Sequence, residues 1–168
     1  MAERTSLRVP RQVLVYLFRY SDEVPEFLLL RRTEQWGGFW QGVSGAPERD
    51  ESDADGAIRE VLEETGFSVT VNLNEIGFRY ELLRESDLDG DRWEHLYGTD
   101  VESIPEEVYV AEVPPGAEPR LAPYEHDAFR WCSFEQALEL LTWENNRKAL
   151  VAARAFIESA TPSPLGTP

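Results

Sequence analysis

The chain has 168 residues, 42% of them hydrophobic and 11% aromatic, which suits one soluble domain with a sizeable core and gives no reason to expect a second. Its formal net charge of −16 argues against a nucleic-acid surface, which needs a basic patch, and opposes binding to anionic membranes. The lone cysteine, Cys132, excludes an internal disulfide and fits a reducing compartment as a small buried hydrophobe beside Trp131.

In chain order, residues 1 to 7 are mostly polar and predict a flexible tail. They do not read as a signal peptide, and no apolar run approaches membrane-spanning length, so a cytoplasmic protein is expected. Val13 to Phe18 and Phe27 to Leu30 are β-rich apolar runs, with Ser21 to Pro25 between them as a hairpin turn. A helix is expected over 53 to 65. It starts at Ser52, with Asp55 three residues on as an N-cap signal, and stops at Gly66. Short strands follow over 67 to 71, 76 to 83, 94 to 97, 108 to 113 and 128 to 131. Asp87 to Asp91 reads as a solvated turn, because Gly90 stands too early in it for a calcium loop. Pro114, Pro115 and Gly116 open a loop that ends at Tyr124, Glu125 and His126. Ser133 and Gln136 form a capping box for a helix to about Leu141, and another runs from about Trp143 to Ile157. Residues 159 to 168 read as a second flexible tail around a single domain over 8 to 158. The pattern predicts an α/β fold, a mixed β-sheet with helices on both faces.

The most informative stretch is Gly45 to Phe67. At 3.6 residues per turn Glu60, Glu63 and Glu64 share one side of the predicted helix, and Ile58, Val61, Leu62 and Thr65 are expected opposite them. Glu60 and Glu64 form an i,i+4 like-charge pair that costs an exposed helix about 0.2–0.5 kcal/mol, and more where water is excluded. A divalent cation removes that cost. Arg59 can bridge to Glu63 at i+4 or reach back to Glu51.

Read as Gly45, five residues, Glu51, seven residues, then Arg59-Glu60-Val61-Leu62-Glu63-Glu64-Thr65-Gly66-Phe67, the stretch resembles the signature box of the Nudix hydrolases. The resemblance implies an α/β/α sandwich and the hydrolysis of a nucleoside diphosphate linked to another moiety, by attack of water on phosphorus. It also implies Mg2+ or Mn2+ held by Glu60, Glu63 and Glu64, hard oxygen donors that suit such ions. Glu60 or Glu63 is the expected base, and Arg59 the residue that orients a catalytic glutamate. The partner implied is a small nucleotide-like polyphosphate, bound by a monomer or a homodimer.

Beyond the box, Leu30-Arg31-Arg32, Phe39-Trp40-Gln41, Val43-Ser44-Gly45, Glu125-His126, Trp131, Trp143 and Asn146-Arg147 resemble the corresponding runs of bacterial dihydroneopterin triphosphate pyrophosphatases. This implies a further metal ligand in Glu125 and substrate contacts at Arg31, Ser44 and Arg8. Trp40 is expected to be structural, Trp36 or Phe39 to touch a ring, and His95 and His126 to be structural or surface residues and not metal ligands, since neither has ligand spacing to a second histidine. The arginine-bearing segment of the pteridine-specific enzymes is not matched over Tyr97 to Glu102, so a nucleoside triphosphate stands beside a pteridine triphosphate as substrate. Phe27 to Leu30 and Phe129-Arg130-Trp131 are similar to diadenosine tetraphosphate hydrolases, a second enzymatic reading. A non-catalytic nucleotide-sensing module is the third, and the complete box opposes it.

Overall fold

The computed structural model describes residues 7–86 and 90–160. Strand β1 (Gln12–Ser21) turns into β2 (Val24–Arg32) through Asp22 and Glu23, both with positive φ, the two-residue turn whose twist suits a hairpin. Two strands too short to announce themselves follow, β3 (Trp40–Gln41) and β4 (Val43–Gly45). Gly45 therefore ends a strand. Helix α1 (Asp53–Thr65) keeps both expected caps: the Asp55 N–H donates to Ser52 Oγ, and Gly66 adopts a left-handed C-cap.

The expected strand over 67 to 71 is a turn, because the Val69 carbonyl accepts the N–H groups of both Asn72 and Leu73 and closes the segment on itself. Strand β5 (Leu73–Leu83) starts after it. The strand expected over 94 to 97 is instead the end of helix α2 (Gly90–Tyr97), where Trp93 and Tyr97, one turn apart, pack ring to ring at 4.9 Å. Of the expected turn at Asp87 to Asp91, residues 87–89 lie outside the described residues, and Asp91 stands in the first turn of α2. Strands β6 (Ser103–Glu112) and β7 (His126–Cys132) lead to α3 (Phe134–Leu140), with its capping box, and α4 (Glu144–Ala160). Helix α4 runs past Ile157, so Ser159 and Ala160 belong to it and not to the tail.

The seven strands form one mixed sheet in the order β3-β2-β1-β6-β5, with β4 also pairing β1 and β7 pairing β2. Only β1 and β6 pair in parallel among the described strands. Strand alternation splits the core into two layers. Leu14, Tyr16, Leu29 and Val108 pack under α3 and α4, whereas Val13, Val15, Leu28 and Leu30 pack under α1 through Ala57 and Val61. This is the α/β/α sandwich expected. Helix α2 adds a small side cluster in which Trp93 and Tyr97 cover Ile104. Among the described residues no helix is long and apolar enough to cross a membrane.

Candidate active site

The acidic face of α1 differs from the simple two-sided helix. Glu64 lies about 20° from Ala57 around the helix axis, in the middle of the buried stripe. It is 1% exposed, and Leu62, expected inside, is 54% exposed. The acids thus do not point away from the apolar face. Glu64 is buried with Val61, Glu60 takes the flank, and Glu63 is exposed.

Arg59 organises these groups as expected, and in both directions. Its Nε and Nη2 donate to Glu51 at 2.9–3.2 Å, and Nη2 also reaches the Ala46 carbonyl at 3.1 Å. Its Nη1 donates to Glu60 at 3.0 Å and Glu63 at 3.2 Å. The guanidinium holds Glu51 below the ordinary carboxylate range. Glu60 goes the other way: burial pushes it up to about 7, Arg59 pulls against this, and Glu63 and Glu125 add repulsion. Burial raises Glu64 well above 4.5, and repulsion from Glu60 and Glu125 raises it further.

Gly45 sets the approach between β4 and α1. A Cβ there would stand 2.2 Å from Glu60 Cδ and 2.4 Å from its Oε1, so only glycine leaves the carboxylate where it is. Gly45→Ala is expected to displace Glu60 and lower kcat about 100-fold with little loss of folding stability. Steady-state kinetics beside a thermal melt checks this, and an unchanged kcat would mean that Glu60 has no positional role.

Glu60, Glu63, Arg59 and Glu125 line one cavity of about 540 Å³, together with Arg8, Arg32, Ser44, Trp36 and Phe39. Five arginines, at 8, 32, 49, 59 and 92, line it beside four glutamates, at 48, 60, 63 and 125, so that cationic groups are gathered here in a chain of net charge −16. Arg31 does not join them. Its Nε donates to Asp127 at 2.7 Å outside the cavity. Arg32 stands in its place, with its guanidinium 5.8 Å from the Trp36 ring and 6.0 Å from Phe39. Trp40 packs against the α4-side core, as a structural residue should.

The residues at the back of the wall are set by the pairing of β2 with β7. Arg32 is opposite His126, and the pairing skips Asp127, a bulge that turns neighbouring side chains apart. His126 is 1% exposed with neither ring nitrogen hydrogen-bonded, so it is buried and not a surface residue. Burial and the Arg32 charge push it down to about 4. One ligand atom each from Glu64, Glu125 and His126 lie within 4.8 Å of one another. His95, by contrast, is exposed.

Two features had different legibility in the sequence. Arg32 follows from strand parity once the packing of β2 is known, since Leu30 faces α1 and the residue two further on shares its side. Glu106 had no signal. It is buried on β6, where it accepts from Gln12 Nε2 at 2.6 Å and from the Tyr80 hydroxyl, and burial pushes it up to about 7. Asn146 donates to Tyr80 Oη at 3.2 Å, so this polar chain ties the cavity-lining Gln12 to α4 through the sheet.

A family profile for the NUDIX domain matches residues 8–153. An octanoyltransferase of Myxococcus xanthus is 35% identical over 155 residues, 92% of this chain, and the chain spans 40% of that protein's length. A dihydroneopterin triphosphate diphosphatase of Haemophilus influenzae is 29% identical over 145 residues, covering 83% of this chain and 84% of that one. Among solved structures, a Listeria monocytogenes protein assigned to the NUDIX hydrolases superposes with a TM-score of 0.75 at 26% identity, over 90% of this chain and 96% of that one.

Proposed function

The chain belongs to the NUDIX hydrolase family, and on that premise we propose that it cleaves a phosphoanhydride bond of a nucleoside triphosphate or dihydroneopterin triphosphate, releasing the monophosphate and pyrophosphate. The observation that carries this reading is the buried Glu64 carboxylate, neither oxygen accepting a hydrogen bond, set behind Glu60 and Glu125, which themselves line an arginine-bearing cavity. Such oxygens fit a hard divalent cation, Mg2+ or Mn2+, with Glu60, Glu63, Glu64 and Glu125 to hold it. When bound, the cation neutralises phosphate charge and makes its water more acidic.

The protein's own groups supply the rest. Arg32, in place of Arg31, grips phosphate oxygens, with Arg8 and Ser44 lining the approach. Glu60, held near neutral pH, accepts a proton from the attacking water, and Arg59 keeps it and Glu63 in register. Trp36 and Phe39 offer ring faces to a heterocycle. Octanoyl transfer gains no support from this site, because neither Cys132 nor Lys148, the chain's single cysteine and single lysine, lines the cavity as a nucleophile would. A reducing, cytoplasmic setting suits the buried thiol of Cys132.

The test is a panel of nucleoside triphosphates, dihydroneopterin triphosphate and diadenosine tetraphosphate with Mg2+ and with Mn2+, with products identified. Pyrophosphate from a triphosphate is the expected result; release from the dinucleotide alone would favour the second reading. On the best substrate Arg32→Ala should raise KM at least about tenfold, and Arg31→Ala should change it little. The reverse ranking would restore Arg31.

A further inference from the structure

His126 is an unexplained group in this site. A neutral imidazole carries one donor and one acceptor, and buried polar atoms almost always find partners. Here both ring nitrogens are buried without one, as are both oxygens of Glu64. The two side chains come from different elements, α1 and β7, and they converge with Glu125 so that one atom of each lies within 4.8 Å of the others. Ligands of a divalent ion at bond lengths near 2.1 Å stand roughly 3–4 Å apart, so a small inward movement brings all three into a shell.

Among the described residues no N–H or O–H donor meets the Glu64 oxygens, and Glu125 approaches them as a second carboxylate. Arg32, opposite His126 in the strand pairing, is the cation facing the cluster, and its own Nε is buried and unpaired. Glu60 lies on the flank of the same helix and is tied to Arg59. Glu125 lines the cavity, which gives an ion a way in from solvent.

We propose that His126 is a ligand of the metal centre, so that its cation is held by carboxylate oxygens, those of Glu64 and Glu125 among them, together with one imidazole nitrogen. This rests on the metal-dependent reading above and adds a nitrogen donor to an all-oxygen set. The consequence is selectivity. Imidazole favours Mn2+, Co2+ and Zn2+ over Mg2+, which prefers oxygen and keeps its waters.

The decisive measurement is three-pulse electron spin-echo spectroscopy of the full chain, stripped of metal and loaded with Mn2+. Nitrogen-14 modulation is expected, changing to the nitrogen-15 pattern when the protein is made with [15N]histidine. The exposed His95 is the control: His95→Gln should keep the modulation and His126→Gln should lose it. Calorimetric titration should show Mn2+ binding weakened at least about tenfold in His126→Gln, with a smaller change for Mg2+. Should His126→Gln not fold, the isotope comparison on the unsubstituted protein still decides. Tightly bound Mn2+ without nitrogen coupling would overturn the assignment of His126 while leaving the metal-dependent hydrolase intact. Absence of any Mn2+ binding would overturn both.

Discussion

Glu60→Gln is expected to lower kcat by about 1000-fold while leaving the fold and KM nearly unchanged, because a positioned general base contributes about 10²–10⁴. The substitution keeps volume, and its amide oxygen can still accept from Arg59 Nη1, so the Arg59 cluster should survive. What it removes is proton affinity, together with one of the carboxylate charges proposed to hold the cation. Glu60 suits the base role better than Glu63 on two structural grounds: its side chain is 13% exposed against 57%, and its carboxyl is held up to about 7. A base near neutral pH gives a rate that rises with pH through that region, a limb that a bound cation moves lower and the Gln variant should lack. Kinetics across pH on both proteins, with circular dichroism as the folding control, checks this. A kcat within tenfold of the parent would remove Glu60 from the chemistry, and an equal loss in Glu63→Gln would reopen the choice between them.

The sequence was most legible where local chemistry decides structure. The Ser52 and Ser133 caps, the Gly66 stop and the Asp22-Glu23 hairpin all depend on residues within one turn of one another, and all formed. The strands packed on both faces were readable from their apolar runs. The failures came where a partner distant in sequence was the deciding term. Residues 94 to 97 looked extended until Trp93 and Tyr97 found Ile104 on β6, a contact that rewards helical spacing. Strands β3 and β4 exist because β2 and β1 hold them, not because two or three residues specify a strand.

The candidate site divides in the same way. The Arg59 bridges were legible because Glu51, Glu60 and Glu63 are close to it in sequence. The choice of Arg32 over Arg31 needed the parity of β2, which Leu28 and Leu30 fix by packing under α1. The depth of Glu64 was only partly legible, from its place on the helix close to Ala57. A helical wheel places three glutamates together, but which of them enters the core depends on where β2 and β7 end against α1.

That depth gives the second large effect. Glu64→Gln is expected to stabilise the metal-free protein by about 1–3 kcal/mol at neutral pH and above, and to abolish most of the stabilisation by divalent cations. A buried carboxylate with no hydrogen bond is costly when ionised, and Glu60 and Glu125 add repulsion. The sign follows from the raised folded-state pKa. Between the unfolded value of 4.5 and the folded value, the native protein binds more protons than the unfolded chain. Stability from this group is therefore full below about 4.5 and is lost as pH rises, and Glu60 and Glu106 act in the same direction up to about 7. A cation reverses the loss by taking the place of the proton, and at a concentration of 100 Kd it adds about 2.7 kcal/mol. Melting curves with chelator and with saturating Mg2+ or Mn2+, between about pH 5 and pH 8, should cross: the variant melts higher without metal, and the unsubstituted protein gains more when metal is added. Equal metal-induced shifts in the two proteins would show that Glu64 holds no ion. A metal-free parent that keeps its low-pH stability at pH 8 would show that its carboxylate is compensated by a group other than a cation. The variant thus separates the two effects of one carboxylate: it destabilises the fold when no ion is bound, and it gives the ion its strongest link to folding.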